Sequence, residues 1–159
     1  MSNRQQEKIM LGKTEIQYVT EYIYLGQLVS FDHEMEKEIK RRVTQALRAF
    51  WSTKYILQDK SISRSLRLTT LNTCIYPVLL YDCQTWFPTE SQKMSIDVCQ
   101  RNMDRKVLGI TNRDRISNRR LQEITETVNL MQRAAWTKWR WGGNNKLDGR
   151  SLLQCGIPT

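Results

Sequence analysis

The sequence has few of the residues from which metal sites and nucleophilic sites are built. It contains one histidine, His33, and its four cysteines form no Cys-x-x-Cys pair. Structural zinc sites need closely spaced Cys or His ligands, so this pattern argues against a zinc module. A two-metal polymerase centre needs paired carboxylates, yet no two aspartates are adjacent, and neither a GxxxxGK(S/T) loop nor a GxSxG elbow occurs. We therefore expect no catalytic residue, no metal site and no cofactor in this chain.

Long apolar runs are also scarce. The most apolar stretch, residues 71–87, carries one formal charge, Asp82, and is interrupted by Pro77. It is too short and too broken to span a bilayer, and the polar N-terminus lacks the apolar core of a signal peptide. We expect an intracellular protein with buried, reduced thiols, in nucleus or cytoplasm and without a membrane partner. The helical spacing of the apolar residues predicts a buried central helix that Pro77 kinks: Leu71, Cys74, Ile75, Val78 and Leu79.

Acidic residues are outnumbered by basic ones, and the excess is unevenly placed. The formal net charge is +9, and residues 101–150 alone hold 12 Lys or Arg against 5 Asp or Glu, a net charge of +7. A one-sided excess of this kind favours contact with phosphates. A nucleic acid, either an RNA–DNA hybrid or a single strand, is therefore the first candidate partner. The alternatives are a solvated basic surface, or a helical module that docks an acidic protein.

Residue periodicity predicts a mainly α protein, a helical bundle with a short N-terminal β-hairpin. The β-branched and aromatic residues around Gly26 indicate the hairpin, and apolar stripes at helical spacing indicate the helices. The predicted organisation is a flexible N-terminus over 1–14, the hairpin over 15–31, a helical core over 32–110, a basic helical segment over 111–150 and a tail over 151–159.

Capping residues set the expected helix boundaries. Asp32 caps a first helix that reaches Leu57, and Gly109 ends a helix capped by Thr89 or Ser91. The remaining boundaries are a cap at Ser61 or Ser63 for the central helix, a short helix over 119–126 with Ser117 or Asn118 as its cap, and a last helix over 128–141.

The end of the last helix alternates aromatic and cationic residues, Lys138-Trp-Arg-Trp141. Rings that stack on bases and cations that meet phosphates would suit a nucleic acid. Trp is more often packed than exposed, so Trp139 and Trp141 could equally fill the core while Lys138 and Arg140 face water. The sequence leaves both interpretations open.

Four segments, in matching order over residues 15–150, resemble the C-terminal part of the reverse transcriptase of non-LTR (LINE-type) retrotransposons, in particular the RTE-like group that couples an endonuclease to the polymerase. The first is Tyr22-Ile-Tyr-Leu-Gly26 with Val29 and Asp32, followed by Glu38-Ile39 and Arg42-Val43. Leu79-Leu-Tyr-Asp-Cys-Gln-Thr-Trp86 is similar to the family's LLYGAETW. Residues 105–118 resemble its RRILGI…DR…N, and residues 138–150 resemble its KWRWAGHV…DGRW.

The resemblance implies a primer grip at Tyr24, Leu25 and Gly26, followed by a thumb and its extension that cradle the template–primer duplex. The residues expected to contact nucleic acid are Lys40, Arg41, Arg101, Arg105, Lys106, Arg113, Arg115, Arg119, Arg120, Lys138, Trp139 and Arg140. A glycine in a hairpin lets another backbone come close, and the basic residues suit contact with phosphates rather than bases. The resemblance also implies a separate palm domain as a partner, and Mg²⁺ would belong to that palm.

The sequence departs from the family's pattern at several points. The palm with its paired aspartates and the endonuclease would lie upstream of Met1, so we expect no enzymatic activity from this chain. Asp82 stands where the family has glycine, and Asn144 stands where it has histidine. These departures are typical of a truncated or decaying copy, and an inert pseudogene product is a further alternative.

Overall fold

The computed structural model describes residues 9–31 and 34–144, apart from the side chains at positions 34, 112, 143 and 144. The protein is mainly α-helical with short β structure at its N-terminus, so the predicted fold class is confirmed. Two compact units divide the chain, the first ending at Glu34 and the second starting at Met35.

The first unit consists of two antiparallel hairpins. Strands β1 (Ile9–Leu11) and β2 (Thr14–Ile16) form one, and β3 (Glu21–Tyr24) and β4 (Gln27–Ser30) form the other. The predicted hairpin is confirmed over β3 and β4. The prediction of a frayed N-terminus is wrong from residue 9 onward, because β1 pairs with β2; residues 1–8 lie outside the described part.

The turn between β3 and β4 explains why this sequence makes a hairpin. Leu25 and Gly26 both have positive φ, 48° and 84°, which is the backbone of a two-residue type I′ turn. Such turns match the right-handed twist of the flanking strands. Gly26 takes its position without a Cβ penalty, whereas Leu25 holds a conformation that side-chain-bearing residues rarely adopt.

The second unit begins with α1 (Glu34–Ser52), and Thr53 separates it from α2 (Lys54–Leu57). The single helix predicted to reach Leu57 is therefore interrupted. The hydroxyls of Ser52 and Thr53 both donate to the carbonyl oxygen of Ala49, and such bonds compete with a regular helix. The predicted apolar stripe is confirmed: Ile39, Ala46, Phe50 and Leu57 are buried, and Met35, Val43 and Leu47 pack against them. The predicted cap Asp32 lies outside the described residues.

The predicted central helix begins as α3 (Arg64–Thr70), and the apolar stretch continues it as a π-helical turn (Leu71–Ile75) and α4 (Tyr76–Leu79). The wide turn directly precedes Pro77, which has no N–H to donate and whose ring would meet the carbonyl four residues back. The predicted interruption is confirmed, and so is Ser63 as the cap of α3. Cys74 is a correction: it is exposed rather than buried, because the π turn rotates the helical face.

Three further α-helices follow in the described part of this unit, α5 (Glu90–Leu108), α6 (Asn118–Thr125) and α7 (Leu130–Asn144). Thr89 and Gln92 form a capping box at the start of α5, and Gly109 ends it in the left-handed conformation, as predicted. Ser117 caps α6. Helix α7 continues three residues beyond its predicted end at Trp141. The predicted tail, residues 151–159, lies outside the described residues.

Helix α5 carries a row of buried polar side chains that hold the segment between α6 and α7. Gln100 accepts a hydrogen bond from the Leu130 amide (2.9 Å) and donates to the Val128 carbonyl (3.2 Å). Asp104 accepts from the Tyr76 hydroxyl at 2.6 Å and is also bonded by the Thr127 hydroxyl. Each polar group therefore has a partner, which buried polar groups need to avoid a large desolvation cost.

Buried apolar side chains from several helices form the core of this unit. Its largest fully buried side chains include Phe50, Leu71, Tyr76, Ile96 and Leu130. Arg67 joins α3 to the end of α5 through a 2.6 Å hydrogen bond from its Nη1 to the Val107 carbonyl. Among residues 9–31 and 34–144, no helix is both long and apolar enough to cross a membrane.

Replacing Asp104 by Asn should reveal the energetic cost of its buried charge. Burial raises the pKa of the Asp104 carboxyl to about 6, although its hydrogen bonds from Tyr76 and Thr127 oppose the rise. The neutral form is thus favoured in the folded protein, and its stabilising contribution is lost as the pH rises through about 6. Relative to Asp104→Asn, the free energy of unfolding of the wild type should fall by about 2 kcal/mol between about pH 4 and about pH 7. Denaturant titrations of both proteins at the two pH values measure this difference; a difference independent of pH would contradict it.

A second prediction concerns the backbone at Asp82, which has φ 61° and ψ 23°. Asp82→Val should lower the free energy of unfolding by about 2 kcal/mol, because a β-branched residue is strained in this left-handed conformation. Asp82→Gly should stay within about 1 kcal/mol of the wild type, since relief of strain offsets the lost hydrogen bond from Gln84. Thermal unfolding of both variants checks this, and equal melting temperatures would contradict the left-handed assignment.

Candidate nucleic-acid interface

The residues expected to form a primer grip lie at the tip of the β3–β4 hairpin. Tyr24 is the last residue of β3, and Leu25 and Gly26 form the turn. The side chains of Tyr24 and Leu25 are exposed. The sequence therefore places an aromatic ring and a glycine at a protruding loop of the first unit.

In helix α1, the cluster Lys40-Arg41-Arg42 divides into one exposed and two engaged cations. Lys40 is exposed, whereas Arg41 makes two 2.9 Å hydrogen bonds to the carboxylate of Glu38. Arg42 is buried: it bonds the same carboxylate at 2.6 Å and lies 4.5 Å above the ring of Tyr81. Glu38 is itself almost fully buried, so its charge needs partners. Arg42 therefore stabilises the fold by pairing with the buried Glu38, a role that the sequence did not indicate.

The connection between α5 and α6 gathers most of the remaining predicted cations. Arg105, near the end of α5, donates from Nη2 to the Ile116 carbonyl (2.8 Å) and to the Asn118 side chain (3.2 Å). These bonds hold the start of α6 against the end of α5. Arg105 is thus the residue that positions the connection, and it is half-buried.

Five exposed cations surround this connection, and we call them the basic surface: Lys106, Arg113, Arg115, Arg119 and Arg120. Arg101 is half-buried one turn before Arg105 on the same helix. Lys106 extends the surface towards α1, because its ammonium lies 4.9 Å from the centre of the Trp51 ring.

The carboxylates near the basic surface cancel only part of its charge. Asp104 is buried and accepts a hydrogen bond from the Tyr76 hydroxyl. Asp114 accepts hydrogen bonds from the amide and hydroxyl of Thr111, and the bond from that amide holds the pKa of Asp114 below its usual value. Glu123 is shared by Arg119 (3.4 Å) and Arg120 (3.0 Å). Residues 101–123 contain seven Lys or Arg and three Asp or Glu, so positive charge remains in excess around this connection.

The cations of helix α7 have different roles. The Lys138 ammonium donates to the Trp86 carbonyl at 2.9 Å and lies 3.4 Å from the centre of the Phe87 ring. It therefore fastens α7 to the segment after α4. Arg140 is exposed, with its guanidinium 4.8 Å from the centre of the Trp136 ring.

The two interpretations of the last tryptophans are decided by their exposure. Trp139 is 48% exposed and Trp141 is 47% exposed, so neither fills the core. Trp136 is 60% exposed, and sequence reasoning missed it. The only available signal was its position four residues before Arg140, which places the two side chains on one helical face.

The structure brings the predicted residues into separate groups rather than one site. The basic surface forms around the α5–α6 connection, Lys40 lies on α1, and Trp139 and Arg140 lie on α7. Among the described residues, no group of three or more His, Cys, Asp or Glu could hold a metal ion. The buried thiols Cys83 and Cys99 have a pKa raised to about 11 by burial, which makes them poor nucleophiles.

Comparison with known proteins gives one relative. The chain is 25% identical over 146 residues to an uncharacterised transposon-derived protein of Caenorhabditis elegans. The match covers 86% of this chain and 51% of the relative, so the chain spans about half the length of the curated relative that it matches. No protein-family model matches the sequence, and no solved structure matches it. The chain is therefore related to a protein of transposon origin.

Lys138→Met should separate a structural role of this lysine from a binding role. Removing the ammonium leaves the Trp86 carbonyl without its donor and removes the contact with Phe87, so we expect a loss of about 1–2 kcal/mol in the free energy of unfolding. Arg140→Gln removes the same charge at an exposed position and should change stability by less than about 0.5 kcal/mol. Thermal unfolding measures both; an unchanged melting temperature for Lys138→Met would contradict the structural role.

Proposed function

We propose that this chain is a non-catalytic fragment of a retrotransposon reverse transcriptase and that it holds a template–primer duplex by its phosphates. The relative of transposon origin supports the derivation from a mobile element. The finer assignment to a reverse transcriptase depends on the ordered motifs, from Tyr22-Ile-Tyr-Leu-Gly26 to Lys138-Trp-Arg-Trp-Gly142.

The observation that carries the proposal is the basic surface. Its cations are exposed. The neighbouring Arg105 instead donates hydrogen bonds that position the connection between α5 and α6. Exposed Lys and Arg side chains meet a phosphate backbone with little desolvation cost, and release of counterions from the nucleic acid drives the association.

The form of this surface favours binding without sequence readout. Arg113 lies in a short 3-10 turn (Asn112–Asp114) and Arg115 directly follows it. Arg119 and Arg120 lie in the first turn of α6, which is only eight residues long. Direct readout of bases needs an element that enters a groove and presents side chains to base edges. Scattered exposed cations around a short connection instead suit contact with phosphates, which fixes position and carries no sequence information.

The hairpin tip at Tyr24, Leu25 and Gly26 would contact the primer strand in this proposal. Chemistry on the primer would come from a separate palm domain, and Mg²⁺ would be bound there. The role of this chain is to hold the duplex.

Binding to an RNA–DNA hybrid tests the proposal. Fluorescence anisotropy of a labelled hybrid with the purified chain, at about 50 mM and about 200 mM salt, should show an affinity that falls steeply with salt. The double variant Arg113→Gln/Arg115→Gln should weaken binding and reduce the salt slope by about two, one for each lost phosphate contact.

A matched control is Lys54→Gln/Lys60→Gln, which removes the same charge from exposed positions outside the basic surface. It should keep the slope of the wild type to within about one half. Equal losses in the two double variants would mean that only net charge matters and would contradict the assigned surface. Absence of binding at low salt by a folded wild type would overturn the proposed function.

A further inference from the structure

The outward face of α7 is built around a tryptophan that points away from the core. The residues of α7 that are buried or packed against the core are Leu130, Met131 and Ala134, and Lys138 continues that side by its bond to Trp86. With 3.6 residues per turn, position 136 lies opposite Ala134. Trp136 is accordingly the most exposed tryptophan in the part of the chain that the structure describes.

Cations flank this ring on the same face. Arg133 lies one turn before Trp136 and Arg140 lies one turn after it, so both share its face. The guanidinium of Arg140 is 4.8 Å from the ring centre, and Trp139 lies on the edge of the same face. Between Glu126 and Asp148 the sequence has no Asp or Glu. Helix α7 therefore presents aromatic and cationic side chains on this face and contributes no carboxylate of its own.

This combination is chemically specific. An exposed indole is costly in water because a large apolar area remains hydrated. Stacking of a flat π-system on the indole is favourable because it covers this area. Adjacent cations then contact the phosphates that connect successive bases. A duplex cannot use the ring in this way, because its bases are already stacked within the helix and only its edges and phosphates are accessible.

We infer that the outward face of α7, with Trp136 flanked by Arg133 and Arg140, binds a single-stranded segment of nucleic acid by stacking an unpaired base on the indole ring. The inference rests on the proposed function and extends it. The basic surface takes the phosphates of a duplex, and α7 takes unpaired nucleotides. One chain would then hold paired and unpaired nucleotides on different elements.

The test compares two ligands for each variant, a single-stranded DNA of about 15 nucleotides and an RNA–DNA hybrid of the same length. Trp136→Ala should raise the Kd for the single strand about 10-fold or more, while the Kd for the hybrid changes less than about 2-fold. Trp136→Leu retains an apolar side chain without a flat π face and should show the same selective loss. Trp136→Phe should retain most of the affinity.

Tyr55→Ala is the matched control. Tyr55 is 69% exposed and lies on α2, outside the basic surface. Its removal should change the Kd for the single strand less than about 2-fold. The melting temperatures of the Trp136 and Tyr55 variants should stay near that of the wild type, because an outward ring contributes little to the core.

Several results would overturn the inference. One is an equal loss for Trp136→Ala and Tyr55→Ala, or an equal loss on both ligands. Another is unfolding of Trp136→Ala, which would show that the ring is packed. A third is Trp136-dependent binding to vesicles containing anionic lipid that single-stranded DNA does not compete away, which would assign the face to a lipid surface. If the hybrid binds but the single strand does not, the inference fails and the proposed function stands; if neither binds, both fail.

Discussion

The row of buried polar side chains on α5 is the interaction on which the arrangement of the second unit depends. Gln100 holds the backbone on both sides of Asn129, and Asp104 holds Tyr76 of α4. These bonds lie in a poorly polarisable interior, where a satisfied hydrogen bond stabilises and an orphaned partner is costly. They fix where α7 begins and therefore which of its faces points outward. The raised pKa of Asp104 reflects the desolvation cost of burying its carboxyl group in this row.

The cations of this chain fall into two classes, and composition alone does not separate them. Arg42, Arg67, Arg105 and Lys138 hold the structure together by bonds to Glu38 or to backbone carbonyls. The cations of the basic surface and of the outer face of α7 are exposed. A net charge of +9 therefore overstates how many cations are available to a polyanion. We therefore expect removal of an engaged cation to lower the stability of the fold, whereas removal of an exposed cation should leave it unchanged.

The comparison with known proteins and the chemistry of the surface support the proposal at different levels. The transposon-derived relative bears on origin only, and the chain spans about half of its length. The distribution of exposed cations and aromatic rings bears on what the chain could bind. The left-handed backbone at Asp82 bears on the sequence resemblance. It gives a physical reason for the glycine that the resembled motif has at this position. Asp is among the residues that tolerate this conformation best after glycine, so the exchange is compatible with the fold.

The sequence by itself determined the local structure: the hairpin at Gly26, the capping box at Thr89, the end of α5 at Gly109 and the interruption at Pro77. Each is set by the backbone preferences or capping chemistry of one or two neighbouring residues, and these preferences can be recognised from the sequence. The apolar stripes of α1 and α5 were legible for the same reason, since they follow helical periodicity. Only the tertiary structure decided which cations are engaged, that Cys74 is exposed and that Trp136 points away from the core. Those outcomes depend on contacts between residues distant in sequence, such as Lys138 with Trp86, and on the one-residue rotation that a π turn adds, and neither is encoded in local pattern.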